Sequence, residues 1–225
     1  MNDMAPLWLS LKLSLVTTAI LLLVAIPLAY WLAYSRLRWK FAAEALITLP
    51  MVLPPSVLGF YLLLAFSPAN AFGKFLDHVF GLRLVFSFPG LVLASVLYSL
   101  PFMVNPILAG FKSLPPGLKE ASHTLGKSGS ATLLKILLPN IRPSILTGIV
   151  LSFAHTLGEF GVVLMIGGNI PGQTKVASLA IYDDVQSLNY HSANVYALTL
   201  LLLSFSILLT VYLVNHHFSK TNPLS

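Results

Sequence analysis

Cysteine is absent from the 225-residue chain, which excludes disulfides, thiolate zinc sites and cysteine nucleophiles. Charge is scarce as well: 9% of residues are Asp, Glu, Lys or Arg, against about 25% in an ordinary soluble domain. With 56% hydrophobic residues, such a chain cannot solvate its own surface, and a bilayer must cover part of it. The seven acidic residues are scattered, with no H-E-x-x-H motif and no clustered carboxylates, which speaks against a metal-dependent membrane enzyme. The net charge of +6 invites a nucleic-acid reading. The basic residues, however, lie in the gaps between apolar runs, without interleaved aromatics. They read as membrane flanks, and nucleic acid is not an expected partner. No internal repeat or low-complexity tract is present.

Five apolar stretches are long enough to cross a hydrocarbon core, which takes about twenty helical residues. They run approximately 13–34, 45–66, 88–110, 143–166 and 193–214. The expected fold is therefore all-α, a polytopic transmembrane bundle of five spans forming a single domain over 1–225. The first stretch is too long for a signal peptide, no small-residue cleavage site follows it, and it ends at Arg36, Arg38 and Lys40. It is read as a span.

Charge bias sets an expected orientation. Arg36, Arg38, Lys40, Lys112, Lys119, Lys127, Lys135, Arg142 and Lys220 fall on one side, nine basic residues in all. Lys12, Lys74, Arg83 and Lys175 make four on the other. The positive-inside rule puts the nine in the cytoplasm, with the N-terminus outside, the C-terminus inside and loop 111–142 facing the cytoplasm. Pro50, Pro54 and Pro55 lie within six residues and predict a broken helix bordering a pathway. Residues 67–87, outside, contain an apolar-periodic piece around Phe75, Val79 and Phe80 that suits a short interfacial helix.

Loop 111–142 carries the strongest pattern. Ser113 is an expected helix start before Pro115 and Pro116. Leu118, Ala121 and Leu125 share one face at helical spacing, with Lys119, Glu120 and His123 turned away. Small residues at Ala121 and Ser122 allow a partner's backbone to come close. Gly126 suits the left-handed conformation that ends a helix. A second short helix is expected from Ser128 or Ser130 to Leu138, before Pro139. Gly126-Lys127-Ser128 mimics the end of a P-loop, but position 121 is Ala where that motif needs Gly, and a helix precedes it where a strand is required. The chain should not hydrolyse ATP itself.

The run from Glu120 to Gly126, followed nine residues later by Ile136, Leu138 and Pro139, resembles the cytoplasmic coupling loop of ABC transporter permeases. Their pattern is Glu-Ala-Ala, three residues, Gly, nine residues, Ile-x-Leu-Pro; Ser122 replaces the second Ala here. The resemblance implies that Leu118, Glu120, Ala121, Ser122, Leu125, Gly126, Ile136, Leu138 and Pro139 dock on an ATPase. Three further segments look like permeases of molybdate ABC transporters: Leu53–Phe60, Thr156–Gly161 and Gly168–Gly172. Similar segments occur in sulfate and tungstate permeases. What this implies is a type I ABC permease in the inner membrane, acting as a homodimer. Two cytoplasmic subunits would hydrolyse ATP with Mg, and an extracytoplasmic binding protein would deliver the oxyanion. No cofactor or metal is expected on this chain.

The residues implied for the pathway or gate are Pro54, Pro55, Gly59, Gly158, Glu159, Gly161, Asn169 and Pro171. No Lys or Arg lies within the cores of the five spans, so the chain suits a weakly binding conduit better than a tight oxyanion receptor. Glu159 is the sole acidic residue deep in a span, with His155 one turn earlier. A carboxylate would repel an oxyanion, so Glu159 is expected to pair with His155, cap backbone or hold a subunit contact. A proton-coupled secondary transporter using Glu159 and His155 as its relay is the alternative, but it leaves the loop spacing unexplained. His78 and His191 are expected to be solvated, and His216 and His217 to flank the inner end of the last span.

Overall fold

The computed structural model describes residues 3–220, in which helices joined by loops and turns are the regular structure and no strand occurs. The helices are α1 (Ala5–Tyr34), α2 (Lys40–Thr48), α3 (Pro55–Phe66), α4 (Ala71–Phe80), α5 (Phe88–Ser113), α6 (Gly117–Thr124), α7 (Gly129–Thr132), α8 (Leu138–Asn140), α9 (Arg142–Leu157), α10 (Gly161–Gly167), α11 (Ala177–Gln186) and α12 (Tyr190–Lys220). A 3-10 turn (Leu49–Met51) extends α2, and a π-helical turn (Leu133–Leu137) joins α7 to α8. His216 and His217 lie outside the residues whose side chains are described.

Three helices, α1, α5 and α12, are individually long and apolar enough to cross a membrane, and two bent pairs raise the number to as many as five. At 30 residues, α1 is about 45 Å long and exceeds a hydrocarbon core of about 30 Å. It starts eight residues before the apolar run at Leu13, because Pro6 sits in the first turn, where its missing N–H costs nothing.

The stretch expected as one span over 45–66 is two helices. Lys40–Met51 and Pro55–Phe66 meet at 109°. Pro54 is extended (ψ 134°) and caps α3, so the proline cluster redirects the chain. The stretch expected over 143–166 is also interrupted. α9 ends at Leu157, Gly158-Glu159-Phe160 is non-helical, and α10 begins at Gly161. The second helix of the loop does not stop before Pro139 but runs through it to Asn140. The preceding π-turn widens the helix where the proline ring would otherwise strike the carbonyl four residues back.

α5 is the central post. It packs against α1 and α9, which also touch each other, and α10 sits between α3 and α5. Two apolar clusters lie along this post. One joins Leu21, Ala25, Leu32, Met103, Ile107 and Phe111 to Leu137 and Ile141. The other joins Leu13, Leu62 and Leu91 to Val162, Val163 and Ile166. Glycines set the close crossings. A Cβ on Gly110 would lie 2.7 Å from the Ser144 Cβ, and one on Gly59 would lie 2.8 Å from the Met165 Cβ and 3.1 Å from the Val162 Cα. At the far end, the Ser10 hydroxyl of α1 accepts a 2.8 Å hydrogen bond from the Ala177 N–H and satisfies the start of α11. α12 leaves Leu198, Leu201, Leu202, Phe205 and Leu209 exposed, as a lipid-facing helix does.

Candidate functional site

Two places concentrate the chemistry. The first is the segment between α5 and α9. α5 runs through Ser113, whose hydroxyl donates to the Gly110 carbonyl at 2.8 Å, so Ser113 does not start α6 as expected. α6 begins at Gly117, after Pro116, and Gly126 ends the turn with φ +73°. Ser128 starts α7, its hydroxyl accepting from the Ala131 N–H at 3.3 Å.

The faces of α6 differ from the expectation that Leu118, Ala121 and Leu125 share one face. Leu118 packs on the apolar cluster around Phe111. Ala121 is exposed, and Leu125, past the last helical residue, is 78% exposed. The inward position is Ser122, 2% exposed, whose hydroxyl lies 2.8 Å from the Thr132 hydroxyl. Ser122 therefore holds α6 to α7 and is not available for close approach by a partner. Its spacing of four from Leu118 was the available signal. Lys119 does not face away either: its Nζ lies 4.4 Å from the Tyr34 ring centroid and 5.2 Å from that of Tyr30. Glu120, Ala121, His123, Thr124, Leu125 and Gly126 form the exposed rim, while Ile136, Leu138 and Pro139 are half-buried behind it.

The second place is a cavity of about 490 Å3 between α3, α5 and the α9–α10 break. Pro55, Ser56, Tyr98, His155, Gly158, Glu159, Phe160 and Gly161 line it. Glu159 is 4% exposed. Its Oε2 accepts from the Ser95 hydroxyl at 2.7 Å, its backbone carbonyl accepts from the Ser178 hydroxyl at 2.6 Å, and Oε1 has no partner. The expected pairing with His155 is not formed. His155 Nδ1 instead lies 2.9 Å from the Ser99 hydroxyl, and its ring stacks on Phe102 at 4.0 Å. Ser95 and Ser99, one turn apart on α5, supply these contacts, and sequence spacing alone gave no sign of them. Gly161 lets α10 meet α3, since a Cβ there would stand 2.8 Å from the Pro55 Cβ.

The other residues implied for the pathway lie elsewhere. Gly59 is a packing contact, and Pro54 caps α3. Asn169, with φ +55°, donates from Nδ2 to both Asp183 carboxyl oxygens at 3.0 and 2.9 Å, closing the loop before α11. Lys175 pairs with Asp183 from the other side. Burial lifts the Asp183 pKa, but the hydrogen bonds from Lys175 and Asn169 and the Lys175 charge outweigh it and hold the carboxyl below its usual value. Pro171 lines a separate pocket of about 300 Å3 with Asp3, Lys175, Asp184 and Tyr196. His78 and His191 are exposed. No group of three or more His, Asp or Glu suited to a metal occurs among the described residues.

The family model "Binding-protein-dependent transport system inner membrane component" matches residues 25–221. The chain is 44% identical to the molybdenum transport system permease protein ModB of Azotobacter vinelandii over 212 residues, covering 94% of this chain and 93% of that protein. It is 35% identical to ModB of Escherichia coli (strain K12), covering 81% of each. The sulfate transport system permease protein CysT of Salmonella typhimurium is 32% identical, over 86% of this chain and 69% of that one. Among solved structures, the inward-facing MetNI methionine ABC transporter superposes with TM-score 0.72 at 16% identity, over 94% of both chains. A bacterial alginate ABC transporter in complex with its pentasaccharide-bound periplasmic protein gives 0.74 at 19% identity, over 96% of this chain and 80% of that one. These two likenesses concern the fold.

Proposed function

The chain belongs to the family of binding-protein-dependent transport system inner membrane components, and on that premise we propose that it is the membrane-spanning subunit of an ATP-driven importer of molybdate. It is a permease of the ABC class, located in the inner membrane and without an ATPase site of its own. The observation that carries the choice of cargo is the 44% identity to a molybdenum permease along 94% of the chain. Sulfate is the second reading, supported by the 32% identity to a sulfate permease over 86% of the chain.

In the proposed assembly, two copies of this chain enclose the path, with the more basic side in the cytoplasm. The α6–α8 segment docks in two cytoplasmic subunits that hydrolyse ATP with Mg, and an extracytoplasmic protein delivers the anion from the opposite side. The exposed rim of Glu120, Ala121, His123, Thr124, Leu125 and Gly126 suits a groove on such a subunit. Two ATPase states favouring different arrangements of the spans would alternate the access of the path. The spans carry no Lys or Arg in their cores, so selection falls to the delivery protein, and the path itself binds weakly.

Uptake by proteoliposomes holding the whole complex, with unlabelled oxyanions competing against labelled molybdate, tests the cargo. Molybdate should compete at least about tenfold better than sulfate, a difference of about 1.4 kcal/mol. Equal or better competition by sulfate would reassign the substrate.

A further inference from the structure

α6 is joined covalently to α5 through Leu114–Pro116, but to α1 it is joined only by side chains. Leu118 packs on the apolar cluster that α1 and α5 share, a contact that resists separation and tolerates sliding. Lys119 supplies a fixed one. Its ammonium sits over two rings of the last α1 turns, Tyr30 and Tyr34. Those rings are themselves locked: their centroids lie 5.0 Å apart, and the buried Phe111 of α5 meets them edge-on at 5.8 and 6.1 Å. The three rings form a seat built from two different spans. On the other side of the clasp, the buried bond between Ser122 and Thr132 makes α6 and α7 move together. A cation over an aromatic face is held in position as well as attracted, which a slippery apolar contact is not.

We propose that Lys119, seated on Tyr30 and Tyr34, is the positioning residue through which displacement of the α6–α7 segment is transmitted to the first span. This rests on the reading of α6 as the ATPase-docking segment. The alternative for a half-buried lysine is a stem lying along apolar surface with its head in water. Two ring faces within 5.2 Å of the same ammonium are not what that alternative predicts.

The test uses the full complex in proteoliposomes, with ATP hydrolysis and labelled molybdate uptake measured on the same vesicles. Lys119→Met keeps the stem and removes the cation, and Tyr34→Leu keeps bulk and removes the ring. Each should lower uptake per ATP hydrolysed by about fivefold or more, a coupling loss of about 1 kcal/mol, while the ATPase subunits still co-purify. Lys119→Arg and Tyr34→Phe preserve the interaction and should stay near the parent ratio. The double variant Lys119→Met with Tyr34→Leu should be no worse than either single change, because both remove one contact.

A parent-like ratio in Lys119→Met, or additive losses in the double variant, overturns the clasp. Loss of co-purification in Lys119→Met but not in Tyr34→Leu also overturns it, by making the lysine a docking contact. Failure of the docking reading is seen separately: ATPase subunits would then bind equally well to a variant with a disrupted Glu120–Gly126 rim.

Discussion

Single residues in this chain do different work from what their type suggests. Gly59 and Gly158 are both glycines of the implied pathway, yet only one is sterically required. Gly59→Ala drives a methyl against Met165 and the Val162 backbone and should cost about 1–3 kcal/mol of stability by overpacking. Gly158→Ala meets nothing closer than the Ala154 carbonyl at 3.8 Å and should leave the thermal midpoint in detergent nearly unchanged. Equal shifts in the two melting curves would contradict the packing account. Glu159 was legible as an outlier because a lone carboxyl stands out in an apolar run. Its partner was not, because Ser95 lies 64 positions away and serine is unremarkable in a membrane helix. Since Ser95 can hold Gln as well as Glu, Glu159→Gln should change turnover without altering the pH profile of uptake. A collapsed profile would instead favour a proton relay through this cavity. Asp183 behaves oppositely to a buried orphan. A carboxyl held low stabilises the fold above its unfolded value of about 3.9, and that contribution is lost as pH falls through the lower folded value. With the side chain 35% exposed, the effect is modest. The loop around Asn169 should therefore resist proteolysis down to about pH 4 and loosen below it. Asp183→Asn should remove that acid step.

At the level of elements, the apolar stretches 13–34, 88–110 and 193–214 coincide with helices long and apolar enough to cross a membrane, while the internal breaks of the other two were legible unevenly. The bend between α2 and α3 was legible because three prolines in six residues remove donors that no straight helix can spare. The break at Gly158–Phe160 carries no proline. It is set by tertiary contacts, with Ser178 holding the Glu159 carbonyl and Gly161 fitting against Pro55, and local sequence does not encode those. The α6–α8 segment shows the same division. Gly126 and Ser128 announced its bend and second start through backbone chemistry, whereas the inward face was misassigned because Leu125 falls beyond the helix. Charge reversal of Glu120 combined with Gly126→Leu alters the exposed rim and forces a residue with a Cβ into the left-handed turn at φ +73°. This variant should insert in the membrane normally, lose co-purifying ATPase and lose transport. Retained transport would show that force enters elsewhere.

For the whole molecule, the arrangement is a helical post with a polar appendage. α5 holds α1, α9 and α10, the Glu159 cavity opens where two broken spans meet, and the α6–α8 segment projects at the end of α5. On the proposed reading, the α6–α8 segment would receive displacement from an ATPase and the gap beside Glu159 would open or close in response. In the proposed mechanism, ATP hydrolysis by a partner drives the movement of cargo through this subunit. The most direct measurement is labelled-molybdate accumulation against a gradient in vesicles carrying this permease and the delivery protein, with and without the ATPase subunits and ATP. Accumulation should require both. Uphill uptake by the permease without its ATPase, driven by a proton gradient, would contradict the account.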